Sequence, residues 1–174
     1  MLSKLAGAKH IVCIEGNQSQ LKSAQGYGAT ELVDMSRVEL NTSDLRRRHI
    51  NHLVGGRGVD LVIECSGNAS AFEEGVDLLR SRGKYLLLGN WAGSAKVRLS
   101  PFDVVRKALK IIGSTYCSPS SYYRAIKLVE ANYESFPFEA SVTHKYELGN
   151  AKEAMEDVAA GKVIKAVIYP QGIK

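Results

Sequence analysis

The sequence predicts an α/β fold, a doubly wound parallel sheet with helices on both faces. Short apolar segments alternate with amphipathic helical segments at about 25 residues per unit, a spacing typical of βαβ construction. The apolar segments lack the polar–apolar alternation of half-exposed strands, which favours strands buried on both faces. Turns rich in Gly, Ser or Asn follow four of them. These observations favour ligand-binding turns at the carboxyl ends of parallel strands.

The predicted elements follow one another without an internal repeat or a clear linker. The predicted strands cover residues 10–14, 31–34, 59–67 with the closing turn, 84–89, 110–116, 142–146 and 164–169. The predicted helices are the end of a helix at 1–7, a helix capped by Asn17 or Ser19, a helix capped by Ser43 or Asp44, and helices at 69–79, from 101, at 118–131 and at 150–160.

Composition places the chain among globular proteins. Its 174 residues are 45% hydrophobic and 24% charged, and a chain of this size can bury a substantial core. No run approaches the roughly 20 apolar residues of a membrane span, and no signal peptide pattern is present. We therefore expect a cytoplasmic protein with no membrane partner.

The basic residues and the cysteines do not indicate a site of their own. The net charge is +5, but the one basic cluster, residues 46–49, falls within a helical pattern and is interpreted as a solvated helix face. Nucleic-acid binding would require a basic stripe with aromatic residues or a recognisable module. Cys13, Cys65 and Cys117 are isolated, so we expect buried reduced thiols and no metal site.

Four turns at predicted strand ends form the candidate binding site, at residues 15–17, 65–68, 88–90 and 113–116. Glu15 ends an apolar strand directly before a helix. An acidic residue in that position hydrogen-bonds the ribose hydroxyls of a dinucleotide in doubly wound folds. The strand and Gly-x-Gly-x-x-Gly turn expected before Glu15 do not occur in this sequence.

Four stretches of the chain resemble the zinc-type medium-chain alcohol and polyol dehydrogenases. They are GAKHIVCIEGNQSQLKSAQGYGATELVD, GVDLVIECSGNASAFEEGVDLLRSRGKYLLLGN, KALKIIGSTYCSPSSYYRAIKLVE and THKYELGNAKEAMEDVAAGKVIKAVIYP. They cover most of the chain in the order and at the spacing of the family. The resemblance implies an incomplete Rossmann-like domain that binds NAD.

The resemblance assigns one group of residues to the adenosine and pyrophosphate of the cofactor. Glu15 matches the acidic residue on the adenosine ribose, where a carboxylate favours NAD over NADP. Gly16 and Asn17 continue that contact. Lys165 matches a basic residue that reaches the pyrophosphate, and an ordinary surface lysine remains the alternative.

A second group of residues is assigned to the rest of the cofactor. Ser66 and Gly67 match the turn along the adenosine half, with a simple strand exit as the alternative. The two segments that line the nicotinamide ring in relatives match Leu88, Gly89, Asn90, Ser114, Thr115 and Tyr116.

The resemblance also divides the chain and indicates what it lacks. Residues 1–135 correspond to the incomplete dinucleotide-binding domain, and residues 136–174 to a C-terminal segment that packs on the catalytic domain in relatives. Family members carry the catalytic zinc ligands in an N-terminal domain, and this sequence has no counterpart of that domain. The resemblance thus implies zinc in the absent domain only and no metal ligand here.

The implied function is the NAD(H)-binding C-terminal part of a zinc-dependent dehydrogenase that transfers hydride between an alcohol and NAD. We expect the isolated chain to be inactive. A non-catalytic nucleotide-binding module and an interaction subunit are the alternatives from other classes. A zinc-free quinone reductase relative is less favoured because of Glu15.

The expected partners follow from the same resemblance. A complementary N-terminal catalytic chain or domain would cover apolar residues that the tail otherwise exposes, namely Phe138, Val142, Met155 and Val158. A homo-oligomer is expected by analogy, through the edge strand near residues 111–116.

Overall fold

The computed structural model describes residues 1–89 and 96–172. The chain forms two compact units, one consisting of Met1–Ser36 and Ser121–Lys174 and the other of Arg37–Ser120. In chain order the helices are α1 (Leu2–Leu5), α2 (Gln18–Gly26), α3 (Ser43–Leu53), α4 (Ala69–Leu78), α5 (Pro101–Arg106), α6 (Pro119–Ala131) and α7 (Ala151–Ala159). The strands are β1 (Val12–Glu15), β2 (Glu31–Asp34), β3 (Val59–Glu64), β4 (Leu79–Leu87), β5 (Lys110–Gly113), β6 (His144–Glu147) and β7 (Ala166–Tyr169).

Two parallel strand pairs organise the first unit. β1 pairs with β2, with Glu15 opposite Asp34, and β6 pairs with β7. Parallel neighbours require a crossover, and α2 and α7 supply the two crossovers. Leu21 of α2 is 3% exposed and Val33 of β2 is fully buried, so the helix covers the strand pair through these apolar side chains.

Aromatic side chains extend the core of the first unit. The ring centroid of Tyr27 lies 6.2 Å from that of Phe136 and 5.9 Å from that of Phe138. The Tyr27 hydroxyl donates to the carbonyl of Pro137 at 3.1 Å. These contacts attach the loop after α6 to the end of α2.

The second unit contains a three-stranded parallel sheet in the order β3-β4-β5. In its register Val62 lies beside Tyr85, which lies beside Ile111. Phe72 and Val76 of α4 pack against this row with Tyr85, which is fully buried. The ring centroids of Phe72 and Tyr85 are 5.0 Å apart, and this contact forms the centre of the unit's core.

The opposite face of this sheet is less well covered. Because successive residues of a strand point to opposite faces, Leu61 and Ile63 of β3 share a face with Ile112 of β5. Leu61 is 45%, Ile63 40% and Ile112 47% exposed. Strands of parallel sheets are normally covered on both faces, so this face of the unit exposes apolar surface.

The fold class predicted from the sequence is confirmed, because the structure is α/β with parallel sheets and helices. The predicted single sheet appears as three separate sheets among the described residues, β1-β2, β3-β4-β5 and β6-β7. The predicted boundary between residues 135 and 136 separates segments by function and stays a prediction. The two compact units divide the chain at other positions.

Several element ends differ from prediction, among them the following. Thr42, and not Ser43 or Asp44, caps α3, because its extended backbone lets its hydroxyl accept from the amide of Leu45 at 3.3 Å. β4 starts five residues before the predicted residue 84, at Leu79. β5 ends at Gly113 instead of residue 116.

The prediction of buried cysteines was wrong, because none of the three thiols is fully buried. Cys65 and Cys117 are exposed and Cys13 is partly exposed. Cys65 follows β3 and Cys117 follows β5, so both lie in strand-end turns instead of the core. Desolvation and the neighbouring Glu64 carboxylate raise the pKa of the Cys65 thiol.

The tail exposes part of the expected apolar surface. Met155 is 74% and Val158 50% exposed. Phe138 and Val142 are instead partly buried, and the ring of Phe138 stacks at 6.2 Å on that of Tyr133. In the described part of the chain, no helix has both the length and the apolar character needed to cross a membrane.

Candidate dinucleotide-binding site

Glu15 lies at the carboxyl end of β1 with one carboxylate oxygen engaged by the turn that follows. Its Oε1 accepts from the amide of Gly16 at 2.7 Å and from that of Asn17 at 3.0 Å. The residue is partly buried. The two amides fix the carboxylate without enclosing it, so Glu15 is a preorganised acceptor at the edge of the sheet.

Asn17 has a structural role at the start of α2. Its side-chain oxygen accepts from the amides of Ser19 at 2.9 Å and Gln20 at 3.3 Å. Its Nδ2 donates to the carbonyl of Gly161 at 2.6 Å. Both ends of the side chain are therefore used, as an N-cap and as a tether to the residue after α7. A cofactor contact of Asn17 stays a prediction.

Lys165 lies just before β7 in the first unit. Its side chain is exposed, and its backbone carbonyl accepts from the amides of Thr143 at 3.1 Å and His144 at 3.3 Å. The backbone position is thus fixed while the ammonium group is solvated. This placement suits an anion ligand and an ordinary surface lysine equally.

In the second unit, Ser66 and Gly67 form the turn between β3 and α4. The amides of Ser66 and Gly67 donate to Oε1 of Glu64 at 2.6 and 2.8 Å. The φ of Gly67 is 69°, in the left-handed region that glycine adopts without strain. Asn68 then caps α4 by accepting from the amide of Ser70 at 2.9 Å.

Leu88 and Gly89 form the next strand-end turn of the second unit. Their amides both donate to the carbonyl of Glu64 at 2.9 Å. Leu88 is 47% exposed. Asn90, predicted as a nicotinamide contact, lies outside the described residues.

Ser114, Thr115 and Tyr116 follow β5 and are all exposed. The amide of Ser114 donates to the carbonyl of Leu87 at 3.0 Å. Tyr116 is 98% exposed, with a φ of 48°. An aromatic residue in the left-handed region is strained, and such strain concentrates at functional sites.

Two acidic residues at strand ends were missed by the sequence analysis. Asp34 ends β2 and is 6% exposed, and its carboxylate accepts from Gln18 Nε2 at 2.5 Å and from the amide of Ser36 at 2.9 Å. Glu64 ends β3 and is 4% exposed. The signal that identified Glu15, an acidic residue ending an apolar strand, is present at both positions.

The structure does not contain a candidate zinc site within the residues it describes. There is no group of three or more His, Cys, Asp or Glu side chains placed to hold a metal ion in residues 1–89 and 96–172. The ionic contacts of the second unit instead include a buried pair in which Arg46 binds Glu74, with nitrogen–oxygen distances of 2.7 and 2.5 Å.

Comparison with known proteins identifies the family. Residues 1–131 match the sequence profile described as zinc-binding dehydrogenase. This match covers most of the 174 residues, and the chain belongs to the zinc-binding dehydrogenase family, as the resemblance implied. Members of the family use NAD or NADP, and their zinc is bound in the catalytic domain.

Curated relatives include a hydroxycamphor dehydrogenase and a sorbitol dehydrogenase. The 5-exo-hydroxycamphor dehydrogenase of Pseudomonas putida is 33% identical over 168 residues, which are 97% of this chain and 46% of the relative. The sorbitol dehydrogenase of Halalkalibacterium halodurans is 27% identical, over 94% of this chain and 45% of the relative. The chain therefore spans about half the length of the curated relatives it matches, in their C-terminal half.

Solved structures show the same fold. An alcohol dehydrogenase from Thermotoga maritima superposes with a TM-score of 0.87 at 25% identity, covering 98% of this chain and 46% of the other. A protein from Sinorhizobium meliloti, described as a zinc-binding dehydrogenase and bound to NADP, superposes with a TM-score of 0.80 at 25% identity, covering 97% of this chain and 47% of the other.

Proposed function

We propose that this chain is the NAD(H)-binding part of a zinc-dependent alcohol or polyol dehydrogenase. Family membership supports the reaction class, and the match to the C-terminal half of complete dehydrogenases supports the assignment to the cofactor-binding part. The reaction would transfer a hydride between the carbon that bears the alcohol and the nicotinamide ring, with zinc supplied outside this chain as the Lewis acid.

The carboxylate of Glu15 is the observation that carries this proposal. Two backbone amides hold its Oε1, so the carboxylate is oriented before any ligand arrives. Its Oε2 is proposed to accept from a hydroxyl of the adenosine ribose. A 2′-phosphate at that position would bring like charges together, so we propose a preference for NAD(H) over NADP(H).

The second unit is proposed to supply further cofactor contacts through its strand-end turns. Ser66, Gly67, Leu88 and Gly89 offer backbone groups at turns whose amides are fixed by Glu64. The exposed and strained Tyr116 is proposed to flank the nicotinamide with Ser114 and Thr115. In the first unit, Lys165 is proposed for the pyrophosphate.

We also propose that catalysis requires a complementary segment, on the same or another polypeptide. The relatives are about twice as long as the matched region. The exposed apolar residues of the tail, Met155 and Val158, and those of the β3-β4-β5 sheet support such a partner, because large exposed apolar patches usually mark interaction surfaces.

Titration of the full chain with NADH, followed by nicotinamide fluorescence, tests the binding proposal. We expect saturable binding, with weaker binding of NADPH. Alcohol oxidation assayed with NAD and zinc should be undetectable for the chain alone. Absence of NADH binding would refute the assignment, and zinc-dependent turnover by the isolated chain would refute the need for a complementary segment.

An interaction subunit with an unused cofactor fold is the second candidate. The exposed face that contains Leu61, Ile63 and Ile112 favours it. Native mass spectrometry of gently purified protein separates the two proposals. A stable partner together with no NADH binding would favour the interaction subunit, and bound dinucleotide would favour the dehydrogenase part.

A further inference from the structure

Glu64 is a buried carboxylate that the proposed ligand contacts do not use. It ends β3, its side chain is 4% exposed, and its Oε1 accepts three hydrogen bonds, from the Ser66 amide at 2.6 Å, the Ser66 hydroxyl at 2.6 Å and the Gly67 amide at 2.8 Å. The carboxylate therefore fixes the conformation of the turn between β3 and α4.

The backbone of the same residue fixes a second turn. The carbonyl oxygen of Glu64 accepts from the amides of Leu88 and Gly89, each at 2.9 Å. Glu64 thus binds the turn after β3 through its side chain and the turn after β4 through its main chain. Both turns are proposed to contact the cofactor.

Direct contact between the two turns requires glycine at one position. A Cβ atom added at Gly89 would lie 2.5 Å from Glu64 Oε2 and 2.9 Å from the Cα of Gly67. Distances below 3.0 Å are not found for real Cβ atoms. The backbone of one turn and the Glu64 side chain therefore occupy the space that any other residue at position 89 would need.

The second carboxylate oxygen of Glu64 indicates that this residue has a role beyond holding the Ser66–Gly67 turn. Oε2 is buried and has no hydrogen-bond partner among the described residues. An unpartnered buried acceptor is destabilising, and a serine or asparagine could hold the Ser66–Gly67 turn without that penalty. Buried groups retained at such a penalty concentrate at functional sites.

We propose that Glu64 is a positioning residue for the cofactor, which sets the spacing of the Ser66–Gly67 turn and the Leu88–Gly89 turn. The proposal rests on the proposed function, since it requires that these turns contact NAD(H). Glu64 itself touches the turns and not the ligand. Its removal should weaken cofactor binding through displacement of Gly67 and Gly89.

The test compares NADH affinity with stability in variants of the full chain. Glu64→Ala removes the acceptor, and Glu64→Gln keeps an acceptor oxygen for the Ser66 and Gly67 amides while removing the charge. Glu74→Gln is the matched control, because it neutralises a partly buried glutamate of the same unit that pairs with Arg46. If Glu64→Ala does not fold, Glu64→Asp, which withdraws the carboxylate by one methylene, replaces it.

We expect Glu64→Ala or Glu64→Asp to raise the Kd for NADH at least about tenfold, the effect of losing one or two net hydrogen bonds that orient the turns. Glu64→Gln should stay within about threefold of wild type, which is less than one such hydrogen bond. Glu74→Gln should also stay within that range even if its melting temperature falls. If Glu64 had a purely structural role, NADH affinity would instead fall together with stability in the Glu64 and Glu74 variants alike.

Three results would overturn the proposal, and they are distinguishable. Wild-type affinity in Glu64→Ala or Glu64→Asp would refute the positioning role and leave the proposed function intact. No NADH binding by the wild-type chain would refute the proposed function and this proposal together. A loss of affinity in Glu74→Gln equal to that in Glu64→Ala would refute positioning in favour of a general loss of stability.

Discussion

The turns that follow β1 and β3 share one hydrogen-bonding arrangement but differ in the exposure of the glutamate that forms it. In each, a glutamate ends a parallel strand and its Oε1 accepts from two backbone amides of the following turn. Glu15 is partly exposed, whereas Glu64 is 4% exposed. The partly exposed carboxylate of Glu15 is proposed to offer its second oxygen to a ligand hydroxyl. The buried one can act only through the backbone that it holds.

This difference arises from what packs over each turn. Among the described residues, a Cβ atom at Gly16, next to Glu15, would have only the terminal methyl of Met35 within 4 Å, at 3.7 Å. The turn at Glu64 is covered by the turn after β4, where Gly89 packs against Gly67. We propose that the turn of the neighbouring strand decides whether a strand-end carboxylate binds a ligand or positions the backbone.

Alanine substitution at the two glycines should give the largest contrast between these turns. Gly89→Ala places a methyl group against backbone atoms that cannot rotate away, so we expect a loss of about 3 kcal/mol in the free energy of unfolding, at the upper end for overpacking. The methyl group added by Gly16→Ala would contact the flexible end of Met35, so we expect the free energy of unfolding to change by less than about 1 kcal/mol. Urea denaturation of both variants measures this contrast. Equal losses would mean that the two turns are equally open.

The two asparagine caps should differ by a smaller amount. Asn68→Ala removes the N-cap of α4 and should destabilise by about 1 kcal/mol. Asn17→Ala removes the N-cap of α2 and also the hydrogen bond to Gly161, which adds about 1 kcal/mol. Thermal unfolding of both variants tests this order. A greater loss in Asn68→Ala would show that the tether to Gly161 contributes nothing.

The smallest expected effect concerns Asp157, whose carboxylate pairs with the ammonium group of Lys162 and not with backbone amides. The side chain of Lys162, at 2.8 Å, and the Tyr146 hydroxyl, at 3.0 Å, lower the pKa of Asp157 below its ordinary value of 3.8. A carboxyl with a lowered folded-state pKa contributes stability above its unfolded-state pKa and loses it as the pH falls through the folded-state value.

Stability measured between pH 6 and the acid range should therefore fall slightly less steeply in Asp157→Asn than in wild type. Because the Asp157–Lys162 pair is at the surface, the difference should be small and should shrink in high salt. A steeper fall in Asp157→Asn would contradict the assigned direction of the pKa shift.

The local sequence pattern predicted most of the helices and strands, because the residues that form and end each element are close together in the sequence. Strand β1, the Asn17 cap and the end of α7 were all predictable from apolar runs, cap residues and glycines. The Thr42 cap was missed because three adjacent cap-forming residues compete and only backbone conformation selects one.

The candidate site was predictable only in part, for a physical reason. Glu15 and Glu64 carry the same local signal, but the burial of Glu64 depends on Gly89, which lies 25 positions later in the sequence and approaches through the pairing of β3 with β4. Cys65 is likewise exposed although it directly follows the apolar strand β3. Long-range packing of this kind leaves no short-range signature.

The most direct test of the account is the ratio of the Kd for NADPH to the Kd for NADH in wild type, Glu15→Gln and Glu64→Gln. We expect a lower ratio in Glu15→Gln, by about tenfold if the lost charge repulsion is near 1.4 kcal/mol, and an unchanged ratio in Glu64→Gln. An unchanged ratio in Glu15→Gln, or an equal change in both variants, would contradict the division into a ligand-binding and a positioning carboxylate.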